Sequence, residues 1–235
     1  MDFKGHYQDK DVVNSYDSLR NKGLKGRVIR KLELRYVDYL TGSPKEQSIL
    51  EVGVGTGFIS KMLIRKGNFS GIDTSQEMLD VTKRLLGDVK LSVGDIKNLK
   101  IKNKFDKAVT IRVISHFYKK DAIIALNSLN LALKENGELV FNLENRSLFR
   151  RLARGILRWG STYNYQYSKR EIYEIAKKSD FNVSEVIYLD HLFILPFHLL
   201  NKLSFNKLEN FIFNLEWRLR NIGFMSNNSF IKCKK

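Results

Sequence analysis

The run Ile49-Leu50-Glu51-Val52-Gly53-Val54-Gly55-Thr56-Gly57-Phe58 constrains this chain more than any other stretch of it. Residues suited to a buried strand give way to three alternating glycines and then to helical apolar spacing. A strand that turns sharply into a helix passes through backbone conformations that L side chains resist. The same glycines let the backbone approach a ligand closely, and the free N–H groups of a following helix favour an anionic group there. Gly53, Gly55 and Gly57 are therefore candidate binding residues, with Glu51 just ahead of them. Glycines alone would also suit a plain tight turn.

Two further strand ends add the information that the loop lacks. Asp73 closes the second strand within Gly71-Ile72-Asp73-Thr74-Ser75, where a carboxylate can accept hydrogen bonds from ribose hydroxyls, with Thr74 beside it. Asp95 follows the third strand within Ser92-Val93-Gly94-Asp95-Ile96, where it can accept from an adenine amino group while Ile96 lines the ring. Either aspartate alone reads equally well as a helix N-cap. Signals at three successive strand ends point instead to an adenosine-bearing ligand. The dinucleotide fingerprint requires glycine where Phe58 stands, so NAD is disfavoured.

Around this motif, short apolar runs alternate with longer amphipathic stretches, the pattern of a parallel sheet covered on both faces. Val12, Val13, Tyr16 and Leu19 predict one N-terminal helix, and Val28, Ile29, Leu32, Tyr36 and Leu40 a second, closed by Gly42. Strands are expected at 48–52, 69–73, 90–93, 104–111 and 138–143, and helices at 58–66, 76–86 and 121–133. Ser168 and Glu171 form a capping box that opens a helix reaching Ser179. Strands at 181–189 and 228–233 follow, separated by a greasy stretch (191–203) and an amphipathic helix containing Phe211, Ile212, Leu215 and Leu219. With 235 residues and 43% hydrophobic content, a single domain is expected: N-terminal helices over 1–47, a binding core over 48–143, and cap insertions with C-terminal strands over 144–235.

Residues 49–143 resemble the core of class I, Rossmann-like S-adenosylmethionine-dependent methyltransferases, in particular the small-molecule branch that includes ubiquinone and menaquinone enzymes. The resemblance rests on the glycine loop, on Gly71 to Leu79, Ser92 to Leu99, Phe105 to Phe117 and Leu133 to Leu143. It implies a seven-stranded sheet, mostly parallel with an antiparallel last strand, and S-adenosyl-L-methionine as cofactor. It implies Glu51 and Gly53 at the methionine end, Asp73 on the ribose, and Asp95 with Ile96 at the adenine. The Ile111 carbonyl would face the cofactor ammonium, while Tyr7 and Tyr16 would close over the site.

Several subclasses fall on the sequence after the fourth strand, Ile111-Arg112-Val113-Ile114-Ser115-His116-Phe117. It lacks the Asn/Asp-Pro-Pro-aromatic motif of exocyclic base-amine enzymes, the nucleophilic cysteine of cytosine-C5 enzymes and the strand-end aspartate of catechol-type metal enzymes. No metal site is expected, since the lone Cys233 excludes both a Cys-rich zinc site and an internal disulfide. If the acceptor is a hydroxyl, His116 is the best-placed general base, with packing or capping as the competing role.

The net charge of +16 favours anionic partners, and the excess is denser in the last third of the chain. Arg146, Arg150, Arg154 and Arg158 recur every fourth residue, with no acid between Asn145 and Trp159. If helical, this insertion carries a basic stripe on an apolar body, as an interfacial helix or an anion-binding cap does. With the greasy stretch, it suggests a lipophilic, glycan-linked or lipid-linked small-molecule acceptor, anionic or membrane-associated. An RNA methyltransferase and a non-catalytic cofactor-binding subunit are the alternatives, with nucleic acid the weaker partner. No apolar run approaches the roughly 18 residues of a spanning helix, so a cytoplasmic location with peripheral membrane contact is expected. Calorimetry should show binding of S-adenosylmethionine and its demethylated product but no heat from NAD; the reverse would reject the loop assignment.

Overall fold

Local chemistry fixes most helix ends. In the computed structural model, which describes residues 8–146, 164–191, 206–223 and 226–235, helix α1 (Lys10–Arg20) starts where Asp9 accepts the Asp11 N–H at 2.8 Å. Helix α2 (Gly23–Thr41) buries Leu24, Val28, Leu32, Tyr36 and Leu40, the spacing of one helical face, and stops at Gly42. Strand β1 (Ser48–Val52) leads through the glycine loop to α3 (Ser60–Leu63) and β2 (Asn68–Asp73). Then come α4 (Gln76–Leu86), β3 (Lys90–Val93), β4 (Phe105–Thr110), α5 (Lys119–Ala132) and β5 (Leu133–Asn145). The chain continues through β6 (Gln166–Tyr167), α6 (Lys169–Lys177), β7 (Asn182–Leu189), α7 (Asn206–Leu219) and β8 (Asn228–Lys234).

The strands form one sheet in the order β3-β2-β1-β4-β5-β8-β7, with the two-residue β6 added against the end of β5. Strand β8 runs antiparallel to β5 and to β7, and the remaining pairs are parallel. The parallel strands therefore deliver their C-terminal ends to a common edge, where sheets of this kind place their sites. Alternation along the strands supplies two cores. Leu50, Val52, Ala108, Leu139, Phe141 and Ile231 pack with Leu126 and Leu129 of α5 and Ile172 and Ile175 of α6. Ile49, Val109, Val140 and Phe230 pack on the other face with Leu32 and Tyr36 of α2 and Ile212 of α7. The expected fold class is thus present, with one more strand than anticipated.

Helix α7 is held on α2 by polar contacts. Glu209 pairs with Arg27 at 2.9 Å and with Lys31, and the Arg35 guanidinium lies 3.9 Å from the Trp217 ring centroid. The buried Tyr36 hydroxyl donates to the Tyr188 carbonyl at 3.0 Å, tying α2 to β7.

Several sequence expectations need correction. The helix expected over 58–66 shrinks to α3, because Met62, Arg65 and Lys66 each donate to the carbonyl three residues back rather than four. Lys66 is drawn to the Asp38 and Gly42 carbonyls, and β2 starts one residue early as Asn68 donates to Gln47. Leu19 and Phe211, assigned to apolar helix faces, are each 63% exposed. Arg146 follows β5 in irregular backbone, so the proposed helical stripe does not begin there. Tyr7, the rest of that stripe through Arg158, and the greasy residues 192–203 lie outside the described residues.

Leu126 is fully buried between α5 and the sheet. Leu126→Ala should lower unfolding free energy by about 2–5 kcal/mol in urea titrations, whereas Leu131→Ala at the 52% exposed Leu131 should change it little.

Candidate functional site

At the C-terminal end of β1, Gly53 has φ of 83°, and a Cβ there would fall 2.2 Å from the Val113 side chain. A glycine at 53 thus lets the segment after β4 close against the loop. Gly55 has φ of 55°, and a Cβ there would meet nothing within 4 Å, so open space lies above it. Its N–H donates to Asp73 Oδ2 at 2.8 Å, and its carbonyl accepts from the Thr82 hydroxyl of α4 at 2.8 Å. Gly57 completes the loop with φ of 80°.

Asp73 is the junction of this edge. Its other oxygen accepts the Ser75 N–H at 3.0 Å, and the half-buried Thr74 between them adds a further backbone donor. Burial raises its pKa while these N–H groups oppose the rise. Each carboxylate oxygen has a second lone pair, so this anchoring leaves acceptor capacity for hydroxyls. The Asp73 carbonyl accepts the Gly94 N–H at 2.9 Å and brings the end of β3 alongside. Asp95 there accepts the Lys97 N–H at 3.0 Å, capping a short 3₁₀ turn, Ile96–Asn98. Ile96 is buried against the α5 face of the sheet. A four-residue α3 provides little macrodipole, so any anion-binding capacity belongs to the loop N–H groups rather than to a helix start.

Glu51 is 2% exposed and accepts the Ser60 hydroxyl at 2.5 Å. Burial pushes its carboxyl up to about 8, with the nearby Asp73 charge adding to the rise. Among the described residues no cation forms an ion pair with it. A buried acid of this kind stays protonated until a cation enters beside it.

Past β4, Ile111 is the first residue beyond the strand rather than its last, and it is buried. Arg112 follows in a left-handed conformation, φ 65°, with its N–H donating to Asn142 Oδ1 at 2.6 Å. Its guanidinium pairs with the buried Glu33 of α2. One turn earlier, Arg30 lies with its guanidinium 3.3 Å from the Phe58 ring centroid and pairs with Asp17 of α1 at 2.6 Å. Tyr16 is half-buried on α1 beneath the Arg20 guanidinium, at 5.2 Å. The two N-terminal helices therefore reach the glycine loop and the β4 end through Arg30, Glu33 and Arg112, which sequence reasoning missed. The sequence offered little signal for them, because the same helix also carries Lys25, Arg27, Lys31, Arg35 and Asp38.

His116 ends a 3₁₀ turn, Ile114–His116, fastened from several sides. The Ser115 hydroxyl accepts the Glu144 N–H at 3.0 Å, the Ser115 carbonyl accepts the Tyr165 N–H at 2.7 Å, and Tyr167 donates to the Phe117 carbonyl at 2.8 Å. Burial lowers the His116 pKa, Arg20 and Arg112 push the same way, and Asn164 and Glu144 oppose them. The imidazole is therefore neutral at pH 7 and able to accept a proton.

Arg146 carries an acidic partner that the sequence did not suggest. It pairs with Glu171 of the α6 capping box at 3.2 Å, and Glu171 also accepts the Ser168 N–H at 2.8 Å. Arg146 also borders a cleft of about 610 Å³, shared with Tyr167, Lys169, Tyr173, Val186 and Tyr188. That cleft lies beside the β5, β7 and β8 ends, away from the glycine loop. No described helix is long and apolar enough to cross a membrane.

Residues 49–137 match the methyltransferase-domain family profile. The segment that holds the glycine loop, Asp73 and Asp95 is thus a methyltransferase domain. The domain is 31% identical over 143 residues to a malonyl-(acyl-carrier protein) O-methyltransferase of Magnetococcus marinus, covering 58% of this chain and 52% of the relative. It is 28% identical over 132 residues to the demethylmenaquinone methyltransferase of Thermotoga maritima, covering 55% and 56%. The chain spans about half the length of the curated relatives it matches. In fold it is similar to the magnesium protoporphyrin IX methyltransferase of Synechocystis, solved with S-adenosylhomocysteine bound, at a TM-score of 0.68 and 13% identity, with 99% and 97% of the chains covered.

The raised Glu51 pKa in this methyltransferase domain has a consequence for stability. Between its ordinary 4.5 and about 8, the unfolded chain ionises Glu51 while the folded chain keeps it protonated. Its stabilising contribution is thus full below pH 4.5 and is lost as pH rises through about 8. Urea titrations should show Glu51→Gln gaining stability relative to wild type across that window; a constant difference would contradict the assignment.

Proposed function

We propose that this chain transfers the methyl group of S-adenosylmethionine to a small-molecule acceptor with an apolar body and an anionic character. The observation that carries the cofactor half is the pairing of open space above Gly55 with a buried Glu51 on the strand that leads into the loop, which has no cationic partner among the described residues. These residues fit the cofactor: Glu51 answers its cationic methionine end, Asp73 the ribose hydroxyls, and Asp95 with Ile96 the adenine. Gly53 and Gly57 shape the loop, and in this reading the Ile111 carbonyl, Thr74 and Tyr16 also contact the cofactor. The bound cofactor supplies an activated methyl on a sulfonium. The chain's own work is to align the acceptor, exclude water and accept a proton at His116.

Names of relatives favour the acceptor half, since quinone and malonyl-carrier enzymes act on small or tethered groups. Mass spectrometry of cell extracts treated with the protein and a labelled methyl donor tests this reading. A labelled small molecule is expected, and label confined to tRNA would overturn it.

Two variants test the cofactor contacts. Asp73→Asn should weaken S-adenosylmethionine binding by roughly 1.5–3 kcal/mol, the worth of a charge-assisted hydrogen-bonding group; an unchanged dissociation constant would reject the ribose assignment. Cofactor binding near pH 6 should release a proton as Glu51 ionises beside the incoming cation. Calorimetry in buffers of different ionisation enthalpy should detect that release in wild type and lose it in Glu51→Gln.

A further inference from the structure

Helices α2 and α7 cover the same face of the sheet, where Leu32 and Tyr36 of one and Ile212 of the other join Val140 and Phe230. Their outer sides therefore point the same way. On α7, Lys207, Phe211 and Arg218 fall at i, i+4 and i+11, which stacks them along one helical face. Phe211 is 63% exposed, with an exposed lysine one turn before it and an exposed arginine two turns after it. The acids of this helix, Glu209 and Glu216, are both buried on its opposite side.

That sorting leaves the outer surface with an excess of positive charge. Glu209 is shared by Arg27 and Lys31 of α2, whose side chains stay half exposed, so one buried acid answers two cations. The Arg35 guanidinium stacks on Trp217, and among the described residues no acid pairs with Arg35, Lys207 or Arg218. The acids nearby are engaged: Asp38 pairs with Lys66 at 2.7 Å, and Glu185 of β7 accepts the Tyr39 hydroxyl. An exposed aromatic ring among cations with long apolar stems is the pattern of a helix that lies in a lipid interface.

We propose that the outer face of α2 and α7 docks on an anionic lipid surface, with Phe211 entering the headgroup boundary and Lys207, Arg218, Arg27, Lys31 and Arg35 meeting lipid phosphates. The charge complements such a surface, and two helices side by side present a broad layer to it. A nucleic acid would also attract the cations, but a phenylalanine on the convex side of a helix is buried only where apolar chains lie beneath it. The arginine run that begins at 146 is not used, since Arg146 is paired with Glu171. Helix α2 also carries Arg30 and Glu33 to the glycine loop and the end of β4, so the docked surface lies against the helix that walls the site.

Co-sedimentation of the full chain with vesicles of phosphatidylglycerol and phosphatidylcholine reads the docking directly. Wild type should sediment at low salt and release at high salt, and vesicles of phosphatidylcholine alone should not retain it. The double change Lys207→Gln and Arg218→Gln should weaken partition roughly 30-fold, at about 1 kcal/mol per cation. Lys100→Gln with Lys102→Gln removes the same charge from exposed positions beside Leu99 and Ile101, which pack on the opposite core, and should weaken it far less. Phe211→Ser should lower the salt concentration at which the protein is released. All four positions are exposed, and far-UV circular dichroism checks that each variant keeps the fold. Absence of wild-type binding, equal losses in the two double variants, or an unchanged Phe211→Ser would each overturn the proposal. Preferential retention on tRNA in a mixture with the vesicles, lost in the Lys207 and Arg218 variant, would make this face a nucleic-acid surface instead.

Discussion

The hydrogen bond from the Gly55 N–H to the Asp73 carboxylate is the contact on which the cofactor edge depends. It crosses from the loop after β1 to the end of β2, while the other oxygen of the same carboxylate holds the start of α4 through Ser75. The Asp73 carbonyl then collects Gly94 and draws in the end of β3. Three strand ends are thereby referred to one residue. Because the carboxylate is buried, its loss would leave unsatisfied N–H groups at the glycine loop, and the open space above Gly55 would lose its shape.

Asp73 lies close enough for its charge to raise the Glu51 pKa, and both residues are buried. Their environments separate them. Asp73 accepts backbone N–H groups that favour its ionised form, whereas Glu51 has a single hydroxyl donor and rises to about 8. The edge thus holds one anion already satisfied by the fold and one acid awaiting a cation. That asymmetry matches a ligand that brings hydroxyls to one end and positive charge to the other.

The second half of the edge is assembled differently. Around His116, the hydrogen bonds come from the end of β5 and residues 164–167, while the charges of Arg20 on α1 and Arg112 after β4 act on the ring, so the turn is governed by parts of the chain far apart in sequence. Arg112 and Arg30 connect this region to α1 and α2 through Glu33 and Asp17. An ion-paired arginine over Phe58 makes the N-terminal helices part of the site's wall rather than an appendage.

The amino-acid sequence by itself determined the strand–loop–strand core. Apolar alternation, three spaced glycines and two strand-end aspartates are local signals, and local sterics and hydrogen bonding enforce them. The elements Gln76–Leu86 and Lys90–Val93 fall where the periodicity placed them, and the Ser168 capping box opens α6 as read. What the sequence could not carry is anything that depends on a partner across the fold. The Glu171 carboxylate that neutralises Arg146 is 25 residues away, and the Asn164 and Glu144 contacts of His116 are brought together only when β5 and the segment leading to β6 meet the turn after β4. The pKa shifts at Glu51 and His116 arise from burial, which is a property of packing rather than of residue type. Local preference located the loop; tertiary packing decided which charges it leaves unpaired.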